Sequence, residues 1–108
     1  MTAPAAHGVR CGDHGTAGDP EEEWEVVGFP GPEAAAEYAR RFIRAQVEDL
    51  RPQAEGAEAL RAMYHRWGEY ALAEGLDHDA WVAFCIANPA TRRQDTDYDA
   101  LEPGAGRA

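Results

Sequence analysis

An amphipathic stretch bounded by two prolines, Pro32 and Pro52, constrains this chain more than any other feature of its sequence. Its charged residues fall on the side opposite its apolar residues, with Glu37 four positions before Arg41. Proline is favoured in the first turn of a helix and disrupts the interior, so the two prolines mark the limits. The pattern predicts one long helix over 32–51, whose inner face consists of Ala35, Ala39, Phe42, Ile43 and Leu50.

A second helical pattern follows after a short polar link, over residues 55–74, and Gly75 stands where a helix C-cap is expected. Two helices joined so closely are expected to form an antiparallel hairpin. The predicted inner face of this second helix consists of Leu60, Met63, Tyr64, Trp67 and Ala71.

The apolar run over residues 81–87 is too short for periodicity to distinguish a buried helix from a buried strand. Asp77 or Asp79 is a suitable N-cap, and Asn88-Pro89 is a natural stop. These boundary signals favour a third, short helix, with a strand as the alternative.

Residues 24–29, Trp-Glu-Val-Val-Gly-Phe, are typical of a β-strand and are followed by the strong breaker Pro30-Gly31-Pro32. A single strand cannot satisfy its own backbone hydrogen bonds, so it needs a partner. We expect that partner to be the segment around Gly8–Cys11, reached through a long turn. The alternative is the same strand of a second subunit, which would make a homodimer through 24–29.

Together these patterns predict an α+β fold that is mostly α, built around the antiparallel helical hairpin. A third short helix packs across the hairpin, and one or two N-terminal β-strands lie at the edge. We expect residues 1–23 to be flexible or loop-rich and residues 24–89 to form a single compact domain. Residues 90–108 are expected to be an acidic, loosely ordered C-terminal tail.

The 108 residues include twenty acidic and ten basic side chains, which give a formal net charge of −10. The chain contains no Ser and no Lys, which excludes a serine nucleophile, a lysine Schiff base and a P-loop lysine. All the basic residues are Arg, a bias typical of GC-rich coding sequences. No window is basic enough to hold phosphates, so nucleic-acid binding is not expected. Solubility, a salty cytoplasm and a basic partner are three alternative reasons for the acidity.

No segment approaches the run of about twenty apolar residues that crosses a bilayer, and the N-terminus lacks the pattern of a signal peptide. Cys11 and Cys85 are too few for the disulfide framework that small secreted domains carry. We therefore expect a cytoplasmic protein with reduced thiols and no membrane association.

The tightest group of metal-ligating residue types is His7, Cys11 and His14, which lie within eight residues. Zinc prefers thiolate and imidazole ligands, so these three side chains predict a zinc site on a loop. A fourth ligand would come from elsewhere in the chain. Zinc-site patterns usually have paired ligands at both ends of the site, whereas this one has them at one end only. The alternative is therefore a Gly-rich segment that happens to contain histidines.

Tyr98 and Leu101 lie three positions apart in the charged tail, among Asp95, Asp97 and Asp99. Such a segment can dock on a partner through two apolar anchors while its acids meet a basic rim. The alternative is that the tail folds back and packs Tyr98 on its own helices.

Neither of these sites resembles a tuned acid–base pair or a nucleophile with its base. The sequence therefore predicts a small acidic, non-enzymatic interaction protein without a cofactor, such as an adaptor, accessory subunit or inhibitor. Its protein partner is expected to have a basic surface that meets the acidic segments around Glu21–Glu25 and Asp95–Asp99. The alternatives are a metal-binding protein that uses the N-terminal His/Cys cluster with zinc, and a small enzyme with scattered catalytic groups.

Overall fold

The structure, a computed structural model, describes residues 7–16 and 19–103. It has an α+β, mostly helical fold of three α-helices and a three-stranded antiparallel sheet, which confirms the expected fold class. The elements in chain order are β1 (Val9–Asp13), β2 (Trp24–Val26), α1 (Pro32–Leu50), α2 (Ala57–Trp67), β3 (Glu69–Ala73) and α3 (His78–Ala87). Short 3₁₀ turns occupy residues 14–16, 20–22, 51–53, 93–96 and 99–101.

The sheet has the strand order β2-β1-β3, so β1 is the central strand and pairs antiparallel with both neighbours. Val9 lies opposite Val26 on one side and Ala73 on the other. The intrachain partner expected around Gly8–Cys11 is thus confirmed, although β2 is shorter than the predicted strand over 24–29. The N-terminal stretch expected to be loop-rich therefore contains the middle strand of the sheet.

The long helix is confirmed as α1, which packs against β3, α2 and α3. Ala35, Ala39, Phe42 and Ile43 of its predicted inner face are buried, and Leu50 is partly buried against the core. The largest fully buried side chains come from all three helices and the sheet: Tyr64, Tyr70, Ile43, Leu60, Val9, Val47, Val82, Cys11 and Cys85.

The second helix was predicted wrongly beyond Trp67. The chain leaves the helix at Gly68, whose backbone is extended, and continues as the strand β3. A Cβ placed on Gly68 would lie 2.7 Å from Tyr64 Cδ1, so this close approach requires glycine. The five residues of β3 pair with the otherwise open side of β1, and this pairing overrides their helix propensity. Gly75, with φ +81°, serves the turn after β3 instead of a helix C-cap.

The early end of α2 also changes the position of Trp67, which was expected on the inner face. Leu60 and Tyr64 are buried, but Trp67 is the last helical residue and is 57% exposed. The guanidinium of Arg66 lies 5.0 Å from the centroid of its ring. Trp67 is therefore a surface residue and not part of the core.

Residues 81–87 are helical, as the boundary signals favoured, and belong to α3. Asp77 is the N-cap and accepts a hydrogen bond from the N–H of Ala80 at 3.1 Å. The indole N–H of Trp81 donates to the carbonyl of Arg40 at 2.9 Å, which fastens α3 to α1. No helix in the described ranges is long and apolar enough to span a bilayer.

Candidate functional site

Five aromatic rings connect β2, α1 and the C-terminal tail. Phe42 of α1 lies between two of them, with ring centroids 6.4 Å from Trp24 and 5.0 Å from Tyr98. Tyr38 contacts Tyr98 at 5.7 Å and Phe29 at 5.3 Å. Rings at these separations in tilted and edge arrangements attract one another beyond their burial of apolar area. The tail is therefore held beside β2 by the helix that both contact.

The tail residues expected to bind a partner make contacts within the chain. Asp95 pairs with Arg92 at 3.1 Å, and Asp97 accepts a hydrogen bond from the N–H of Ala100 at 3.3 Å. Tyr98 and Leu101 are partly buried against the core. Of the two alternatives for Tyr98, the structure places its ring on α1, and Asp99 is the exposed acid of the set.

This arrangement places Trp24 and Tyr98, each of which lies in an acidic segment of the chain, against the same ring of α1. We call this surface the acidic aromatic face and define it by Trp24 and Tyr98 with the exposed acids Glu21, Glu22, Asp99 and Glu102. Trp24 of this surface is 40% exposed. The sequence singled out both acidic segments, but only the fold of α1 places them together.

The three residues expected to hold zinc are not brought together. His7 is exposed, whereas Cys11 is fully buried in β1. Burial, aided by the nearby carboxylates of Glu69 and Glu102, raises the pKa of Cys11 to about 12, so it remains a thiol rather than the thiolate that binds metal. In residues 7–16 and 19–103, no three His, Cys, Asp or Glu side chains form a group that could hold a metal ion.

His14 instead lies beside two other histidines of the chain. Its ring centroid lies 5.2 Å from that of His65 on α2 and 5.6 Å from that of His78 on α3. We call these three residues the histidine cluster. Tyr64 contacts the cluster from within the core, with its ring 4.8 Å from His14. No sequence spacing could reveal this cluster, because each ring comes from a different element.

Hydrogen bonds orient one ring of the cluster, whereas one nitrogen of another ring finds no partner among the described residues. His78 lies between Tyr64 Oη, 3.0 Å from Nε2, and Asp79 Oδ1, 2.9 Å from Nδ1. The hydrogen bond to His78 lowers the pKa of Asp79, whereas burial raises that of Tyr64 and keeps its phenol protonated. Nε2 of His14 is buried and has no hydrogen-bond partner among the described residues. The pKa of His14 is lowered to about 4. Burial is the largest cause, and the charges of protonated His78 and His65 add to it.

One side chain connects the histidine cluster to the acidic aromatic face. The ring of Tyr70 lies 5.3 Å from that of His14, and its hydroxyl donates to Glu23 Oε2 at 2.5 Å. Glu23 directly precedes Trp24, so the two sites share a continuous path of contacts.

Comparison of the chain with protein-family models, with curated proteins and with solved structures found no match.

Proposed function

We propose that this protein is a small acidic, non-enzymatic interaction protein that binds a basic surface of a protein partner through its acidic aromatic face. The observation that carries the proposal is the position of Phe42, whose ring contacts both Trp24 and Tyr98. Trp24 and Tyr98 lie more than seventy positions apart in sequence, each in an acidic segment. A surface of one charge sign around an aromatic anchor is the composition expected for docking on a partner of opposite charge.

The charge of this face supports a basic partner. Glu21, Glu22, Asp99 and Glu102 are all exposed. Two arginines beside the acidic segments are engaged within the chain: Arg10 pairs with Glu25 at 3.7 Å, and Arg41 pairs with Glu37 at 3.0 Å and donates to the carbonyl of Asp97 at 3.3 Å. Charges at the rim of an interface act mainly on the rate of encounter and on its dependence on salt.

Trp24 supplies the apolar anchor of the proposed surface. Tryptophan is enriched among the residues that dominate binding energy, because it buries a large area at small entropic cost. At 40% exposure, Trp24 can still bury a large part of its ring against a partner.

Two further parts of the proposal concern assembly and location. β2 is an edge strand among the described strands, so pairing between copies through 24–29 is the competing use of this surface. We place the protein in the cytoplasm, in keeping with Cys11 and Cys85, which are buried as free thiols rather than joined in a disulfide.

The test compares matched variants of the full chain as immobilised baits in lysate of the native organism. Trp24→Ala is matched by Trp67→Ala, which truncates an exposed tryptophan on α2. The double variant E21Q/E22Q is matched by E55Q/E58Q, which removes the same charge from other exposed positions. Tyr98 is not replaced, because its ring packs on α1. We expect at least one protein whose capture is lost with Trp24→Ala and retained with Trp67→Ala.

Kinetics with that purified partner then test the role of charge. E21Q/E22Q is expected to slow association and flatten its salt dependence, while E55Q/E58Q leaves both close to wild type. Equal effects of the two double variants would mean that association depends on the net charge of the protein and not on acids at this face. Capture that depends on Trp67 and not on Trp24 would overturn the proposed surface. Light scattering of the free chain tests the alternative, since a dimer broken by Trp24→Ala would assign the surface to self-association.

A further inference from the structure

Three of the four histidines of the chain meet in the histidine cluster, although they come from three different elements. His14 lies in the 3₁₀ turn that follows β1, and this turn leads towards the acidic segment. The turn is held by a backbone hydrogen bond from the N–H of His14 to the carbonyl of Gly68, at 3.0 Å. A second bond runs from the N–H of Gly15 to Asp13 Oδ1, at 2.7 Å.

A proton on His14 would be poorly accommodated where the ring lies. Nε2 is buried without an acceptor among the described residues, so a charged ring would place a donor there with nothing to bond. Leaving a buried polar group without a hydrogen bond is costly, and leaving a charged one so is costlier. The rings of His65 and His78 lie 5.2 and 5.6 Å away, and a second protonated imidazole at such a distance would repel the first.

Charged and titratable groups from every element around His14 affect this balance. Asp13 and Asp79 favour its protonation, but Asp79 is exposed and already binds His78. The pKa of His14, which is lowered to about 4, shows that burial and the two histidines outweigh these acids. The groups that face the ring are Asp13 from β1, Tyr64 and His65 from α2, Tyr70 from β3, and His78 and Asp79 from α3.

We propose that the histidine cluster is an acid-sensitive latch on the acidic aromatic face. Protonation of His14 releases the turn over residues 14–16 from α2 and α3, and the packing of Tyr70 against His14 is lost with it. The hydroxyl of Tyr70 is bonded to Glu23, so its movement disturbs the backbone that presents Trp24. The latch rests on the proposed function, because what it controls is the affinity of that face for its partner.

The first experiment needs no partner and follows backbone amide chemical shifts of the full chain from pH 7.5 to 4.0, a range that extends to the lowered pKa of His14 at about 4. A chelator is present so that metal ions do not compete for the rings. We expect the amides of residues 14–16 and 23–25 to shift together with one common midpoint, while those in the middle of α1 do not. The midpoint is expected between about 6.5, the pKa of a free imidazole, and about 4, the pKa of His14 in its packed position.

Variants assign the transition to His14. His14→Phe keeps a ring in the cluster but cannot be protonated, so the joint shift is expected to disappear. His7→Phe replaces an exposed histidine and is expected to leave it intact. If His14→Phe does not fold, His14→Gln serves the same purpose. A joint shift that persists in the His14 variants, or a shift of residues 14–16 that leaves 23–25 unmoved, would overturn the latch.

Binding of the captured partner then measures the coupling. Between pH 7.5 and 4.5 the wild-type affinity is expected to fall on the order of tenfold more than that of His14→Phe, a coupling of ordinary size between two sites. Equal pH dependence of the two proteins would overturn the latch while leaving the binding face in place. A joint shift of 14–16 and 23–25, with no partner that depends on Trp24, would instead overturn the proposed function.

Discussion

Tyr64 and Trp67 lie three positions apart on α2, yet one is fully buried and the other is 57% exposed. Their difference follows from where the helix ends, since Trp67 is its last residue while Tyr64 packs in the core. We expect Tyr64→Ala to lower the free energy of unfolding by about 3–5 kcal/mol, the usual cost of truncating a buried aromatic residue. Trp67→Ala is expected to cost less than about 1 kcal/mol. Urea unfolding of both variants measures the contrast, and equal losses would place Trp67 in the core.

His14 predicts how stability depends on pH. Its pKa is lowered to about 4 in the folded protein, so between about 6.5 and 4 the unfolded chain binds more protons than the folded chain. Stability therefore falls as the pH drops through this window, by at most about 1.4 kcal/mol per pH unit for one proton. Urea unfolding at pH 7.5, 6.5 and 5.5 should show a shallower decline for His14→Phe than for wild type. A parallel decline in both proteins would mean that other groups carry the effect.

Among the secondary-structure elements, the boundary between α2 and β3 depends on Gly68. A Cβ at this position would lie 2.7 Å from Tyr64 Cδ1 and 2.8 Å from the carbonyl oxygen of Tyr64. We expect Gly68→Ala to destabilise the protein by about 1–3 kcal/mol, as overpacking usually does. Gly31→Ala is the matched control, because a Cβ there meets no atom within 4 Å. Thermal unfolding compares the two variants, and a neutral Gly68→Ala would show that the turn relaxes without cost.

The elements that sequence predicted well are those whose signals are local. α1 has a long amphipathic pattern between prolines, and α3 has the N-cap Asp77 and the stop at Asn88. β3 was missed because its residues, Glu-Tyr-Ala-Leu-Ala, favour a helix, and only pairing with β1 makes them a strand. The extent of β1 could not be read either, since a five-residue strand that contains a glycine has little periodicity of its own.

The candidate sites could not be predicted from local sequence signals, because they depend on contacts between residues that are distant in sequence. Composition identified the acidic segments, but their meeting at Phe42 depends on how α1 packs between β2 and the tail. The close spacing of His7, Cys11 and His14 predicted a zinc site, whereas strand alternation turns Cys11 into the core and the 3₁₀ turn carries His14 to α2 and α3. Proximity in sequence was a poor guide to proximity in space at both sites.

At the scale of the whole molecule, the central claim is that two acidic segments, distant in sequence, form one binding face beside α1. Hydrogen exchange of the full chain, free and bound to the captured partner, tests this claim most directly. We expect binding to slow amide exchange in both 21–27 and 98–102, while 61–67 at the end of α2 exchanges as in the free chain. Slowed exchange in only one of the two segments, or at the end of α2 instead, would contradict the account.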